Sequence, residues 1–398
     1  MVAAADALLR AAYAIGRRRT RPPGAGIRRI LVLRLERIGD LMMSLPALHA
    51  LRQLAPQAQI DLVTGSWNEP LARLIPGIDR VETIDAHWLS REAGGLKLAA
   101  LAQRAWAWRR HRYDIAINLE GDIRSNLLLG LSGARWKAGF GMAGGGPVLD
   151  DAVEFDLAEH TATNGVILVA TALGEELTTG EARVGTAWEA ASALPRAGLL
   201  LPENARKRAE RLLRAEALPA SPMVGIQVGA GRLVKQWPAE RLAAVAVRLV
   251  SEFSATIVLT GAQEDRAAAD VLRAHLPQSA GVIDLVGELD LVTLAAVLAR
   301  LSLFVTPDTG PMHIAAVVGT PVVAIFGPAS PERWGPLSDH CRIVRVDLPC
   351  SPCNRIRRPP ARCVGHTPDC LASILVDDVY RSATSLLDSA TAPGVKLS

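Results

Sequence analysis

Short apolar runs rich in Ile, Val and Leu alternate with helical stretches along nearly the whole chain, and the pattern occurs twice. In the first half the runs are ILVLRL (30–35), IDLVT (60–64), VETID (81–85), YDIAINL (113–119) and RWKAGF (135–140). Helical patterns lie between them at 41–54, around 67–75 and at 95–112, the last carrying Trp106, Trp108 and a basic end. In the second half the runs are MVGIQV (223–228), ATIVLT (255–260), VIDLV (282–286), LFVTP (303–307) and VVAIF (322–326). Helices are expected at 203–217, 238–251, 263–275, 291–300 and from Gly310. Strands that alternate with helices build βαβ units and a parallel sheet. The chain therefore reads as α/β, with two doubly wound domains facing each other across a cleft. Ligands of such sheets bind beyond the carboxyl ends of the strands.

The domain reading is a basic N-terminal extension (1–26), a first domain (27–195), a second domain (196–370) and a C-terminal helix and tail (371–398). The helix, at about 371–388, is placed to pack back across the domains. The stretch 148–200 carries weaker signals, apart from the flexible loop GMAGGGP (141–147) before it.

At 398 residues the chain is long enough for two cores. Aromatic residues are only 4%, which excludes a stacking platform for single-stranded nucleic acid. The net charge of +4 falls short of a nucleic-acid footprint and suits an anionic partner such as a phosphorylated lipid. No run of about 18 apolar residues occurs, so no membrane-spanning helix is expected. In the first 23 residues Asp6 and Arg10 interrupt the apolar part, and Arg17, Arg18, Arg19 and Arg21 follow it. A signal peptide places its charge the other way round. The segment reads as a short amphipathic helix with a basic end, either a solvated extension or a contact for anionic lipid. The five cysteines, an odd number with none before residue 341, point to a reducing, cytoplasmic compartment.

Four loops carry the candidate chemistry. Arg37-Ile38-Gly39-Asp40 follows the first strand. Asp40 is either the cap of a helix that starts at Leu41 or a general base. Gly39 gives the backbone a tight turn. GAGRLVKQWP (229–238) offers small residues at Gly229 and Gly231, a positive charge at Lys235, and a proline suited to the first turn of a helix. It is neither a Walker loop nor a GxGxxG fingerprint. Thr306-Pro307-Asp308-Thr309-Gly310-Pro311-Met312-His313 joins a buried strand to a helix whose free N–H groups would suit a diphosphate. The alternative is a capped structural helix with a packed histidine. Phe326 to Pro336 is a rigid loop of glycines and prolines beside it. Beyond these, Cys350, Cys353, Cys363 and Cys370 have one CxxC spacing and a second pair too widely spaced for a zinc ribbon. They read as free thiols, a redox pair or a weak metal alternative. Arg355, Arg357, Arg358 and Arg362 between them form a solvated basic loop or a contact for acceptor phosphates.

Together, ILVLRLERIGDLMMSLPALHALRQ (30–53), GAGRLVKQWP (229–238) and VTPDTGPMHIAAVVGTPVVAIFGPASPERWGP (305–336) resemble glycosyltransferase family 9, the ADP-heptose:lipopolysaccharide heptosyltransferases, in the family's order and over about residues 28–385. The resemblance implies a GT-B fold of two Rossmann-like domains and an inverting transferase that needs no metal or other cofactor. It implies a nucleotide-diphosphate sugar donor such as ADP-heptose and a lipid A-core type acceptor, with peripheral contact at the cytoplasmic face of the inner membrane. Asp40 maps to the family's base, with Arg37 and Gly39 beside the acceptor. Lys235 maps to the lysine on donor phosphate, and Asp308, Thr309 and Gly310 to the turn that binds sugar nucleotide, with Met312 and His313 next to them. Thr309 stands where the family usually has serine. Glu264 maps to the acid of a GxxE-type turn. No Asp-x-Asp occurs, so the common metal–diphosphate motif is absent and a helix N-terminus with a lysine must neutralise the leaving group. The alternatives are a nucleotide-sugar epimerase of the same fold and a non-catalytic module that binds nucleotide sugar.

Overall fold

The computed structural model describes residues 26–89, 95–175, 198–214 and 221–391. The chain divides into two compact units between Gly198 and Leu199. The N-terminal basic extension and the expected boundary at 195–196 lie outside the described residues.

The first unit is built on a six-stranded sheet of β1 (Arg29–Arg34), β2 (Gln59–Thr64), β3 (Arg80–Thr83), β4 (Ile115–Asn118), β5 (Trp136–Phe140) and β6 (Asp151–Val153), in the order β3-β2-β1-β4-β5-β6. All neighbours run parallel. The second unit repeats this arrangement with β7 (Met223–Gln227), β8 (Thr256–Thr260), β9 (Val282–Asp284), β10 (Leu303–Pro307), β11 (Val322–Ile325) and β12 (Cys341–Val344), in the order β12-β11-β10-β7-β8-β9 and again wholly parallel. Each sheet thus has the doubly wound order 3-2-1-4-5-6, with its topological switch between the first and fourth strands. The central strands are buried along their length, as helices on both faces require.

Several elements went unread in the sequence, among them β6, β12 and the helices Ile123–Leu131 and Thr161–Leu173. β6 is a three-residue edge strand, and β12 is an edge strand whose Arg342 and Ile343 are exposed, so neither has the apolar run of a central strand. The helix Thr161–Leu173, TATNGVILVATAL, is rich in Thr and other β-branched residues and carries an Asn and a Gly, all poor helix formers. Its burial overrides propensity: eight of its residues are buried, and it packs along the helix Leu45–Leu54.

Expected boundaries move as well. The helix expected at 41–54 starts at Ile38 and is broken at Ser44, with a second helix from Leu45 that carries Pro46 in its first turn. The helix expected at 95–112 runs Leu98–Ala107 and tightens into a 3₁₀ turn, Trp108–His111, before Arg112 takes a left-handed conformation at φ 52°.

The C-terminal helix, expected at about 371–388, runs Val376–Thr391 in the second unit. It packs on the helix Ala239–Phe253 and on β10, β11 and β12. Val379, Tyr380, Ala383, Leu386 and Leu387 join the core formed by Val224, Ile226, Trp237 and Leu249. Leu386→Ala is therefore expected to destabilise the protein by about 2–5 kcal/mol, as for other buried leucines. Urea unfolding checks this; a change within error would mean that the helix is dispensable to the core.

Candidate active site

In the second unit the switch point lies between β7 and β10, and the loops that leave these two strands carry the candidate donor residues. After β7 the backbone passes Gly229 directly over the Asp265 carboxylate; a Cβ on Gly229 would come within 1.8 Å of Asp265 Oδ1. The glycine is thus required by packing against this acid. Gly231 lies on the exposed part of the loop. The chain then makes a 3₁₀ turn, Leu233–Lys235, and is pinned by Trp237, which is 1% exposed in the core.

This geometry delivers Lys235 to the loop after β10. Its Nζ stands 2.5 Å from Asp308 Oδ2. Asp308 is 6% exposed, and its backbone N–H donates to Ile325 O on β11 at 3.2 Å. Thr309 is the N-cap of the helix Gly310–Val317, and its hydroxyl lies 3.2 Å from that of Thr306 rather than on the helix's own N–H groups. The free N–H groups of that first turn, with the helix dipole behind them, open one residue from the Lys235–Asp308 pair. Met312 is fully buried and His313 is 5% exposed, so both face the packed side of the helix.

Glu264 is exposed on the 3₁₀ turn Gln263–Asp265 after β8. Its neighbour Asp265 is the acid that meets the Gly229 loop. The Asp265 carboxylate accepts from Ala262 N–H at 2.8 Å, and burial pushes its carboxyl up. The two acids are adjacent in sequence, and only the phase of the turn separates their roles.

The cysteine segment is stitched to the loop after β11. Ser351 Oγ donates to Gly327 O at 2.8 Å, Asn354 N–H donates to Pro328 O at 2.8 Å, and Ser330 N–H donates to Asn354 Oδ1 at 2.9 Å. Cys350, Cys353, Cys363 and Cys370 line one small cavity with Val234 of the Lys235 loop. Burial, together with the three neighbouring cysteines, pushes the Cys370 thiol up to about 11. The four are free thiols, and among the described residues no group of three or more His, Cys, Asp or Glu side chains is arranged to hold a metal ion. Cys341, on β12, is pushed up to about 12 by burial.

In the first unit the switch lies between β1 and β4. Asp40 is not a residue before the helix, as expected from the sequence; it sits in the first turn of Ile38–Met43. Its Oδ2 accepts the Arg37 N–H at 3.0 Å, so it does tie down the helix start. Its Oδ1 is 3.6 Å from Arg34 Nη2. Gly39 lies in the same turn, half-buried, and the Arg37 guanidinium lies over the Trp67 ring at 5.5 Å.

Sequence reasoning missed the two charges beneath this turn. Arg34 is 3% exposed at the end of β1. Its Nε donates to Asp40 O at 3.1 Å, its Nη1 donates to Leu119 O, and the same Nη1 stands 3.2 Å from Glu36 Oε2. Glu120 is 1% exposed just beyond β4. It accepts from Leu35 N–H, and from Ser125 Oγ at 2.6 Å. Burial pushes its carboxyl up, against the opposing pull of Ser125, Arg34 and the Leu35 N–H. The signal was present: a lone Arg within ILVLRL and a lone Glu directly after DIAINL.

The signature of Glycosyltransferase family 9 (heptosyltransferase) matches residues 103–361, well over half the chain. The chain belongs to glycosyltransferase family 9. It is a glycosyltransferase by that membership, the first of the classes expected from the sequence. The matched span takes in the Lys235 and Asp308 loops with Cys350 and Cys353, whereas the Asp40 turn precedes it and Cys363 and Cys370 follow it. Lipopolysaccharide heptosyltransferase 2 of Salmonella typhimurium is 28% identical over 333 residues, covering 80% of this chain and 88% of that protein. Lipopolysaccharide heptosyltransferase 1 of Pseudomonas aeruginosa is 24% identical over 344 residues, covering 82% and 86%. Among solved structures, the family 9 glycosyltransferase from Veillonella parvula aligns with a TM-score of 0.75 at 23% identity, over 93% of this chain and 99% of that one. E. coli ADP-heptose lps heptosyltransferase II gives 0.69 at 24%, over 91% and 99%. The two-domain GT-B type of α/β fold follows from these likenesses.

Glu120 offers a direct test of the buried charges. Glu120→Ala strips acceptors from Leu35 N–H and Ser125 and is expected to cost about 2–4 kcal/mol. Glu120→Gln keeps an acceptor and should cost about 1 kcal/mol or less. Because the folded state holds the Glu120 proton to higher pH than the unfolded chain does, this residue makes stability fall as pH rises from the unfolded carboxyl range through the raised folded value. Urea midpoints across that range should show the decline in the wild type and less of it in Glu120→Gln; identical slopes would contradict the raised value.

Proposed function

We propose that this family 9 enzyme transfers a heptose from ADP-heptose to an inner-core sugar of lipopolysaccharide, with inversion and without a metal ion. The observation that carries the reading is the Lys235–Asp308 pair, 2.5 Å apart beside the free N-terminus of Gly310–Val317 at the switch point of the second sheet. A diphosphate is the ligand such a place suits, since an ammonium and a helix N-terminus supply the charge that a metal ion brings in other transferases. The names of the relatives, lipopolysaccharide heptosyltransferases, support the sugar and the acceptor class.

In this mechanism Asp40 takes the proton from the acceptor hydroxyl. The acceptor oxygen forms its bond to the anomeric carbon from the face opposite the diphosphate. The carbon–oxygen bond to the diphosphate breaks, and its electron pair leaves with ADP. Lys235 and the N–H groups at Gly310 and Met312 stabilise the departing charge. Asp308, with Thr309, holds the lysine and the sugar nucleotide in register. Arg34, bonded to both the backbone and the carboxylate side of Asp40, keeps the base in place. Arg37 and Gly39 flank the acceptor, and Glu264 stands at the nucleotide side. The enzyme works at the cytoplasmic face of the inner membrane in peripheral contact with the bilayer; among the described residues no helix is long and apolar enough to cross a membrane.

Calorimetry with ADP, UDP, GDP and CMP, each with and without EDTA, tests the donor reading. Selective ADP binding indifferent to EDTA is expected; preference for another nucleotide would replace the donor, and loss with EDTA would overturn the metal-free mechanism. Asp40→Ala is expected to lower turnover by roughly 10²–10⁴-fold while ADP still binds. Turnover near wild type would reduce Asp40 to its role at the helix start. Lys235→Ala should weaken both ADP binding and turnover, and normal values for both would remove it from the phosphate site.

A further inference from the structure

We propose that the solvent side of the helix Leu98–Ala107, with the basic turn that follows it, is a docking surface for an anionic lipid bilayer. The inward side of this helix is settled: Leu101 and Ala105 are fully buried, and Trp108 beyond them is 1% exposed. The outward side departs from what a surface helix normally presents, which is a polar or charged stripe. Leu98 is 58% exposed and Trp106 57%. Ala99, Gln103 and Ala107 are the exposed neighbours of these two on the outward arc of the helix, and the exposed Arg104 lies at the edge of that arc rather than within it.

Charge is placed around the stripe instead of on it. Lys97, Arg104, Arg109, Arg110 and Arg112 are all exposed, and no Asp or Glu occurs from residue 97 to residue 112. The Arg109 guanidinium is held 4.1 Å from the centre of the Trp106 ring, which fixes a cation at the rim of the largest exposed apolar group. An indole flanked by guanidinium groups matches the interface of a bilayer, where the ring enters the headgroup layer and the cations meet lipid phosphates. The occupant is a bilayer rather than a folded partner. Two large apolar side chains on a ten-residue helix are too few for a stable protein interface, and the alanine stripe offers a partner almost no hydrogen-bonding groups.

The inference rests on the peripheral location proposed above and assigns it a surface. The test is sedimentation of the full-length chain with vesicles of phosphatidylcholine alone, or with roughly one third phosphatidylglycerol, at low and high salt. Binding only to the anionic vesicles, weakened by salt, is expected. Each surface cation contributes roughly fivefold, so Arg109→Glu/Arg110→Glu should lower partitioning by about 25-fold or more. Leu98→Ser/Trp106→Ser should lower it about tenfold. All these positions are exposed, and unchanged thermal melting would show that both variants are folded. A wild-type chain that ignores anionic vesicles would overturn the peripheral location and this surface together. Wild-type binding that survives in both variants, and is lost when Arg17, Arg18, Arg19 and Arg21 are changed to Gln, would overturn the surface alone. So would a concentration-dependent dimer abolished by Trp106→Ser without vesicle binding, which would assign the stripe to a second copy of the chain.

Discussion

The fourth strand of each sheet lies on the opposite side of the first strand from the second, and most of the candidate chemistry depends on that reversal. The connections that leave the first strand and the fourth run to opposite sides, so their loops separate and leave room between them. In the second unit these loops hold Lys235 and Asp308; in the first they hold the Asp40 turn and Glu120. The parallel order also requires burial of β1, β4, β7 and β10 on both faces. A charge at the end of such a strand must therefore be satisfied by its neighbour's loop, as Arg34 is by Leu119 O.

The two units solve the same problem with different materials. In the second unit the close approach is made by backbone: Gly229 lies on the Asp265 carboxylate, and the turn at Thr309 leaves N–H groups open. In the first unit it is made by side chains. A buried guanidinium and a buried carboxyl support a helix start from below, with Ser125, Leu119 and Leu35 completing their hydrogen bonds. A site that receives a charged diphosphate suits the first arrangement. One that must hold a single carboxylate in place suits the second.

Much of this was legible in the chain because it is local. The loops after β7 and β10 are marked by Gly and Pro within a few residues of apolar strands, and a helix start with Gly-Pro needs no distant information. The Arg34–Glu120 arrangement was not legible, since Leu35 and Glu120 lie 85 positions apart and only the pairing of β1 with β4 brings them together. The helix Thr161–Leu173 was hidden for a different reason: its composition disfavours a helix, and only packing along Leu45–Leu54 decides the matter. The adjacent acids Glu264 and Asp265 show a third kind of limit. Their chemistry is nearly the same, and a 3₁₀ turn decides which one points at Gly229.

The pairing of β7 with β10 bears on how the protein comes into being. Val224 is matched to Leu303, 79 positions later in the chain, whereas β8 follows β7 through a single helix. Contacts so distant in sequence close late, because the loop entropy must be spent before any strand pairing repays it. On the ribosome, β7, β8 and β9 can assemble while β10 is still being made. The lysine loop thus exists for a time without the aspartate that will hold it. A folding intermediate of this unit would have half a sheet, an open edge along β7 and no Lys235–Asp308 pair.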